Sequence, residues 1–312
     1  MDRRHFLGTG VGSLLVAASP PRLFAAEGAN PPEPGDDGLP SPLKTKLHVK
    51  PVMTHLIHTG VWEGPCRWRA VSVADERAYA ETSFAKWSKE MKTAAFGCPE
   101  QVKVLEPAHV KFSEDFKIGE ADIAKLKRDA ARTDALFVYP AGSSIAAFEL
   151  GDKLGKPIVL KGLNCRNVDI AAYTRSKGNE AYVASDDADL RTIFGLLRAR
   201  KVFGGTRVLF PTDRGLPAVC SVGSIWDLEA LEKKHGIAVD TISYDELAEE
   251  MDRVLAAASL AKEADERAGE LLAAAEKSFI DRKYVARSLL FYEAVRSLMK
   301  RHGSNAFTVE CF

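Results

Sequence analysis

Beyond about Lys46 the chain alternates short apolar runs with longer stretches whose apolar residues recur at helical spacing. Residues 135–139 (ALFVY) and 157–160 (PIVL) are apolar runs of strand length, and 144–153 between them has the helical period. Strand, loop, helix, strand is one βαβ unit, and a crossover helix makes its two strands parallel. Ligands of open parallel sheets sit in loops leaving the carboxyl ends of the strands. The loops 140–144 and 161–167 are therefore the first candidate site loops.

The same reading extends in both directions. Residues 47–57 (LHVKPVMTHLI) predict a first strand, 74–94 an amphipathic helix, 102–105 a strand and 118–132 a helix. Residues 163–179 read as polar and irregular. After them come a short strand at 182–184, a helix capped by Asp186 or Asp187 and running through Lys201, and a β-branched strand at 206–210. A helix to His235, a strand at 237–242 and a helix from Tyr244 to about Ala258 continue the alternation. Residues 261–279 and 282–302 then read as two packed helices, with Ala264, Ala268, Leu271, Ala275 and Phe279, and Val285, Leu289, Tyr292, Val295 and Met299, as their apolar positions. Gly303 ends the second. Residues 305–312 (NAFTVECF) read as a strand that stops as it emerges, which predicts a natural sequence that continues. The pattern gives an α/β protein with parallel-sheet domains at 46–170 and 171–260, and a helical pair with the first strand of a third domain at 261–312.

The first 45 residues change the picture at one end only. Residues 1–26 carry Arg3 and Arg4, then Phe6 and Leu7, then a weakly apolar stretch followed by small residues, which is the layout of an export signal. The apolar run is too short for a bilayer, which needs about 20 such residues. Arg3, Arg4, Phe6 and Leu7 resemble the twin-arginine signal, whose pathway carries folded proteins, so a periplasmic location is expected. Residues 27–45 hold Pro31, Pro32, Pro34, Pro40 and Pro42 among acidic and small residues and read as an extended linker.

Composition excludes some classes. Hydrophobic residues make up 46% and charged residues 28% of 312, which suits globular domains. The 43 basic and 43 acidic residues balance, and no basic stripe marks a nucleic-acid partner. Five cysteines, at 66, 98, 165, 220 and 311, are widely spaced without a metal-type pair, so buried free thiols are expected, with room for one disulfide pair, and Cys165 reads as a small packed hydrophobe ahead of a nucleophile. There is no GxxxxGK, no strand followed by GxGxxG, no HExxH and no GxSxG, so phosphoryl transfer, nicotinamide chemistry and serine hydrolysis lose support.

Candidate chemistry lies in the loops. Trp62, Arg67, Trp68 and Arg69 in GVWEGPCRWR either stack against a sugar ring, with Trp68 as the platform, or pack on a helix or neighbouring subunit. His55 and His58 are spaced by three, which puts them on opposite faces of a strand, so they are not read as a metal-ligand pair. Ser143 or Ser144 either caps the following helix or, with that helix's exposed N–H groups, contacts a ligand, Ser143 being the candidate contact. The loop at 161–167 supplies Asn164 and Arg166. Asp213 and Arg214 follow the strand at 206–210, where they reach ligand hydroxyls or pin their own loop.

The order of segments carries a resemblance. KPV at 50–52, the Trp/Arg loop at 62–69, residues 181–187 leading into LRTIFGLLRARKVFGGTRVLF, the PTDRG loop, the YDEL helix start and NAFTVEC resemble the L-fucose/L-arabinose isomerase-like proteins. The likeness covers residues 46–312 and extends to the twin-arginine-exported, planctomycete type of that family. It implies two Rossmann-like domains followed by a third, and aldose–ketose isomerisation with a divalent metal, usually Mn²⁺, held by Glu, Asp and His. In the family those ligands follow the strand matched here by 306–311. Glu310 is then one plausible carboxylate, a substrate contact or a solvent-facing residue, and this chain by itself is expected to be incomplete for catalysis. The competing class is a non-catalytic periplasmic sugar-binding protein. A homo-oligomer is also expected, because an unfinished terminal strand exposes an edge that a partner can cover.

Overall fold

The computed structural model describes residues 41, 44–59, 72–141, 145–213 and 227–309. By internal contacts the chain divides into two compact units, one spanning Lys46–Lys201 and the other beginning at Val202.

In the first unit, β1 (Leu47–Leu56) is the organising strand. It is buried on both faces, as a central parallel strand must be. On one side it pairs with β2 (Val102–Val104) and β3 (Ala108–Phe112), on the other with β4 (Ala135–Ala141), and β5 (Ile158–Lys161) and β6 (Ala181–Ala184) complete a six-stranded parallel sheet. Val49 is opposite Val104 and Val52 opposite Ala108, so Lys50 and Pro51 face three residues, 105–107. That extra residue is a bulge. The Val49 carbonyl accepts from the Leu105 amide, so the odd residues of β1 face this edge. Pro51, which has no N–H to give, therefore falls where the ladder is already interrupted.

Helices cover both faces. Val52, Leu56, Leu136, Val138, Ile158 and Leu160 pack with α2 (Glu120–Ala130), α3 (Ile145–Leu154) and α4 (Cys165–Ser176). Leu47, Val49, Met53, Phe137 and Val159 pack with α1 (Val73–Ala94) and α5 (Asp187–Gly204). Ser72 caps α1, accepting from the Asp75 amide at 3.1 Å. The helix ends in Ala95 and Phe96 at φ 40° and 56°, conformations that side chains disfavour. Phe96 holds the strained turn by packing edge-on to Phe137 and Phe194, with ring centroids 4.8 and 4.9 Å away.

The amino ends of the strands are closed by buried ions. Lys201 Nζ donates to Asp134 Oδ2 at 2.7 Å and to the Lys46 carbonyl at 2.8 Å, and Asp134 also accepts from the His48 amide. Lys50, 3% exposed in β1, donates to Asp129 of α2.

The second unit has a three-stranded parallel sheet in the order β8 (Ala238–Ile242), β7 (Arg207–Pro211), β9 (Ala306–Phe307). Helix α6 (Leu228–His235) connects β7 to β8, while α7 (Tyr244–Ala256), α8 (Ala258–Ala274) and α9 (Arg282–His302) lie between β8 and β9. Glu250 of α7 is 3% exposed and accepts from Arg253 and Arg301, tying α7 to α9. Those donors hold its carboxyl down at about 2, well below the usual carboxylate range. Among the described residues no helix is long and apolar enough to cross a membrane.

The α/β class with parallel sheets is as the periodicity predicts, and four details differ. The strand at 181–184, expected to open a second domain at 171, pairs with β5, so the first unit extends to Lys201. The helical pair expected to begin a third domain belongs to the second unit, where α9 packs on α7 and β9 pairs with β7. The stretch read as irregular after Gly162 contains α4. Asn164 caps it, accepting from the Asn167 amide at 3.0 Å, and the helix buries Ile170 and Ala171, a stripe too short to stand out among polar neighbours. Phe279 is 95% exposed instead of packed, because α8 stops at Ala274.

Candidate functional site

Counting β2 and β3 as one bulged strand, the first sheet runs in the doubly wound order 2-1-3-4-5. The chain leaves β1 toward one edge and returns to the other side of it at β4. The reversal falls between β1 and β4, where His55 is opposite Ala141 at the carboxyl end of the ladder. Side chains that follow β1, β4, β5 and β6 at this end form the candidate site.

At the β5 exit, amide side chains set the loop. Gly162 takes φ +99°, a backbone that favours glycine, and its amide continues the ladder to the Ala184 carbonyl. Asn167, 4% exposed, donates to the carbonyls of Lys161 and Gly162 at 2.8 and 2.9 Å. Arg166 Nη1 donates to the Pro140 carbonyl at 2.8 Å, joining the ends of β4 and β5. That carbonyl lies past the last β4–β5 pair, so the guanidinium satisfies an acceptor that the ladder leaves open. One of five guanidinium donors is used in this bond, and the planar fork suits further oxygen acceptors. Asn164 is exposed above the same loop, and Lys161 at the rim pairs with Asp187 at 2.6 Å. The β6 exit is fixed by Asp186, which accepts from the Asp189 amide at 2.9 Å and so caps α5.

The β1 exit is built differently, from histidines and carboxylates. His55 is 1% exposed and its Nδ1 lies 3.0 Å from Nε2 of His109 on β3, a hydrogen bond carrying one proton. Phe84 of α1 stacks on His109, with ring centroids 4.5 Å apart. Glu81 Oε2 is 3.6 Å from His109 Nδ1, too far for a hydrogen bond, and Glu81 pairs with Lys111. Burial pushes both imidazoles down to about 4; His109 further lowers His55, the Glu81 carboxylate partly offsets the fall in each, and the Lys111 ammonium adds a smaller lowering. Glu76, 1% exposed in the first turn of α1, accepts from the His58 amide at 2.7 Å and lies 3.0 Å from its Nδ1. Glu114 accepts from both the amide and the hydroxyl of Thr59.

The sequence-predicted residues divide accordingly. Asn164 and Arg166 meet at one loop, the first as a helix cap and the second as a bridge between strands. Asp213 belongs to the second unit, where Oδ1 accepts from the Tyr244 amide at 3.0 Å and secures the start of α7. Trp68, Ser143, Arg214 and Glu310 lie outside the described residues, as do Trp62, Arg67, Arg69 and Ser144. His55 and His58 have different partners, His109 and Glu76. Cys98 is buried, but Cys165 is exposed in the first turn of α4, because the Asn164 cap turns that position outward. The sequence reading missed His109, Glu76, Glu81 and Glu114. His109 had a signal: the AHVKF of β3 alternates apolar and polar residues at the strand period.

Among the described residues no three His, Cys, Asp or Glu side chains converge as a metal would need, so these residues alone do not fit the Mn²⁺ implied by the resemblance. A shallow depression of about 150 Å³ lined by Phe148, Glu149, Asp152, Tyr173 and Lys177 opens between α3 and α4, and no strand-end side chain lines it. In comparisons with known proteins, no family model matches the chain and no curated protein matches it.

Proposed function

We propose that the chain is an exported, sugar-isomerase-like protein that binds a sugar at the carboxyl ends of β4 and β5, with metal-dependent aldose–ketose isomerisation as its parent activity. The observation that supports this most is the strand order. A reversal between β1 and β4 is where doubly wound sheets hold small polar ligands. The Arg166 guanidinium and the exposed Asn164 amide beside that reversal offer the planar donors and paired acceptor that recognise vicinal hydroxyls. The segment resemblance to the L-fucose/L-arabinose isomerase-like proteins supplies the sugar class. Trp68, in the connection that leaves β1, adds a stacking face in this reading, and Ser143 a hydroxyl.

The chemistry of isomerisation would be the metal's, clamping the sugar's carbonyl and hydroxyl oxygens. The described residues supply binding and orientation, and no proton-transfer step is assigned to them. The test is calorimetry of the full chain against a panel of aldoses and ketoses, with and without Mn²⁺, together with detection of the isomeric sugar. Saturable heat for one sugar, weakened about tenfold by Arg166→Ala, is the expected result. Product formed only with Mn²⁺ supports the isomerase, and binding without product supports a sugar-binding protein. No heat with any sugar overturns the proposal. Export is tested separately: replacing Arg3 and Arg4 by Lys should retain the protein in the cytoplasm.

A further inference from the structure

The histidine pair at the β1 exit has no part in the sugar-binding proposal. Its position matters because hydrogen bonds to residues 57–59 come from the elements packed on it, α1 and β3 with the turn that follows. The Ile57 amide donates to the carbonyl of Phe112, the last residue of β3, at 2.8 Å. His58 is held by Glu76 of α1, and Thr59 by Glu114 just beyond β3. His55 and His109 are the polar joint among β1, β3 and α1, with Phe84 closing it from the α1 side.

We propose that the His55–His109 pair is an acid-responsive latch: protonation of both rings breaks their shared hydrogen bond, loosens β3 and α1 from β1, and releases residues 57–59. While at least one ring is neutral, one facing nitrogen donates and the other accepts across 3.0 Å. With both rings cationic, both facing nitrogens carry N–H groups and neither has an acceptor. The surroundings compensate only in part, through the Glu81 carboxylate. The Lys111 ammonium on β3 opposes a new positive charge, and Glu81, 56% exposed and paired with Lys111, stands 3.6 Å from the far nitrogen of His109. Glu76 is engaged with His58 and Glu114 with Thr59. Both imidazoles resist protonation while buried and accept it readily once exposed, so acid favours the open arrangement.

Hydrogen exchange of the full chain tests the latch. Protection factors at Ile57, His58 and Thr59, corrected for intrinsic exchange, are compared at pH 7 and pH 4.5 with those of Val159 and Leu160 in β5. The expected result is at least a tenfold loss at 57–59 with little change in β5. His109→Phe, which keeps a ring against Phe84, should remove the pH dependence, whereas Glu114→Gln should keep it. An equal loss in His109→Phe assigns the effect to Glu76 or Glu114 and overturns the proposal, as does unchanged protection in the natural chain. If His109→Phe does not fold, imidazole NMR titration of the natural chain decides: midpoints well below 6.5 support the latch, and ordinary midpoints overturn it.

Discussion

Replacing Lys201 by Met tests whether the amino ends of the strands are held by a buried ion and not by apolar packing alone. The Lys201 ammonium donates to the Asp134 carboxylate at 2.7 Å and to the Lys46 carbonyl at 2.8 Å, and the two side chains are 4% and 10% exposed. Methionine fills much of the lysine stem's volume, so the change removes the charge with little cavity. It leaves a carboxylate and a carbonyl in low dielectric, a loss typically of about 3–5 kcal/mol. Two features favour the lower end. Asp134 retains the His48 amide as a donor, and the Lys156 ammonium, whose own pKa burial depresses, is near enough to interact with Asp134. A destabilisation of about 3 kcal/mol, with a urea slope of about 2 kcal/mol per molar, lowers the midpoint of the first unit by about 1.5 M. Urea unfolding followed by circular dichroism reads it. Adding Asp134→Asn removes the stranded charge but keeps an acceptor for His48, so the double variant should be more stable than Lys201→Met alone, with a coupling above about 1 kcal/mol. A single-variant loss under about 1 kcal/mol, or strictly additive losses, refutes the reasoning.

Glu250, with a carboxyl held at about 2 against a reference of 4.5, binds fewer protons in the folded protein than in the unfolded chain between those values. Its contribution is complete above about pH 4.5 and is lost as pH falls toward 2, by up to about 3 kcal/mol. Glu250→Gln should therefore flatten acid unfolding of the second unit in that window, measured by thermal melts from pH 6 to 2. Gly236 adopts φ +74° with the place of a Cβ only 2.7 Å from Gly204 Cα, backbone against backbone. Gly236→Ala should cost about 2–4 kcal/mol in chemical unfolding, more than strain at positive φ alone. Arg166→Ala removes the guanidinium donor to the Pro140 carbonyl and should lower stability by about 1–3 kcal/mol. Arg166→Lys, with a point charge in place of the fork, should recover stability better than sugar affinity, read by melting and calorimetry together.

The sequence itself determined the elements and the class, because both rest on local periodicity. Strand-length apolar runs alternating with helical spacing fixed β1, β4, β5, β7 and β8 within a residue or two, and with them the parallel βαβ arrangement. Gly303 marked the end of α9, where it takes φ +64°, and the Asp186 cap marked the start of α5. The loop at 161–167 was legible as a strand exit, though not the role of Arg166, whose acceptor is 26 residues away. What only the tertiary structure decided is pairing across distance. Nothing in residues 181–184 says whether they extend one sheet or begin another; the register of Ile158 with Ala181 does. The sequence related His55 only to His58, on the opposite face of the strand; β3, lying 54 residues onward, brought His109 within 3.0 Å of it. The period of a strand shows which of its faces is buried, but the partner on that face is set by how loops close and which strands hydrogen-bond, a property of the whole packed chain.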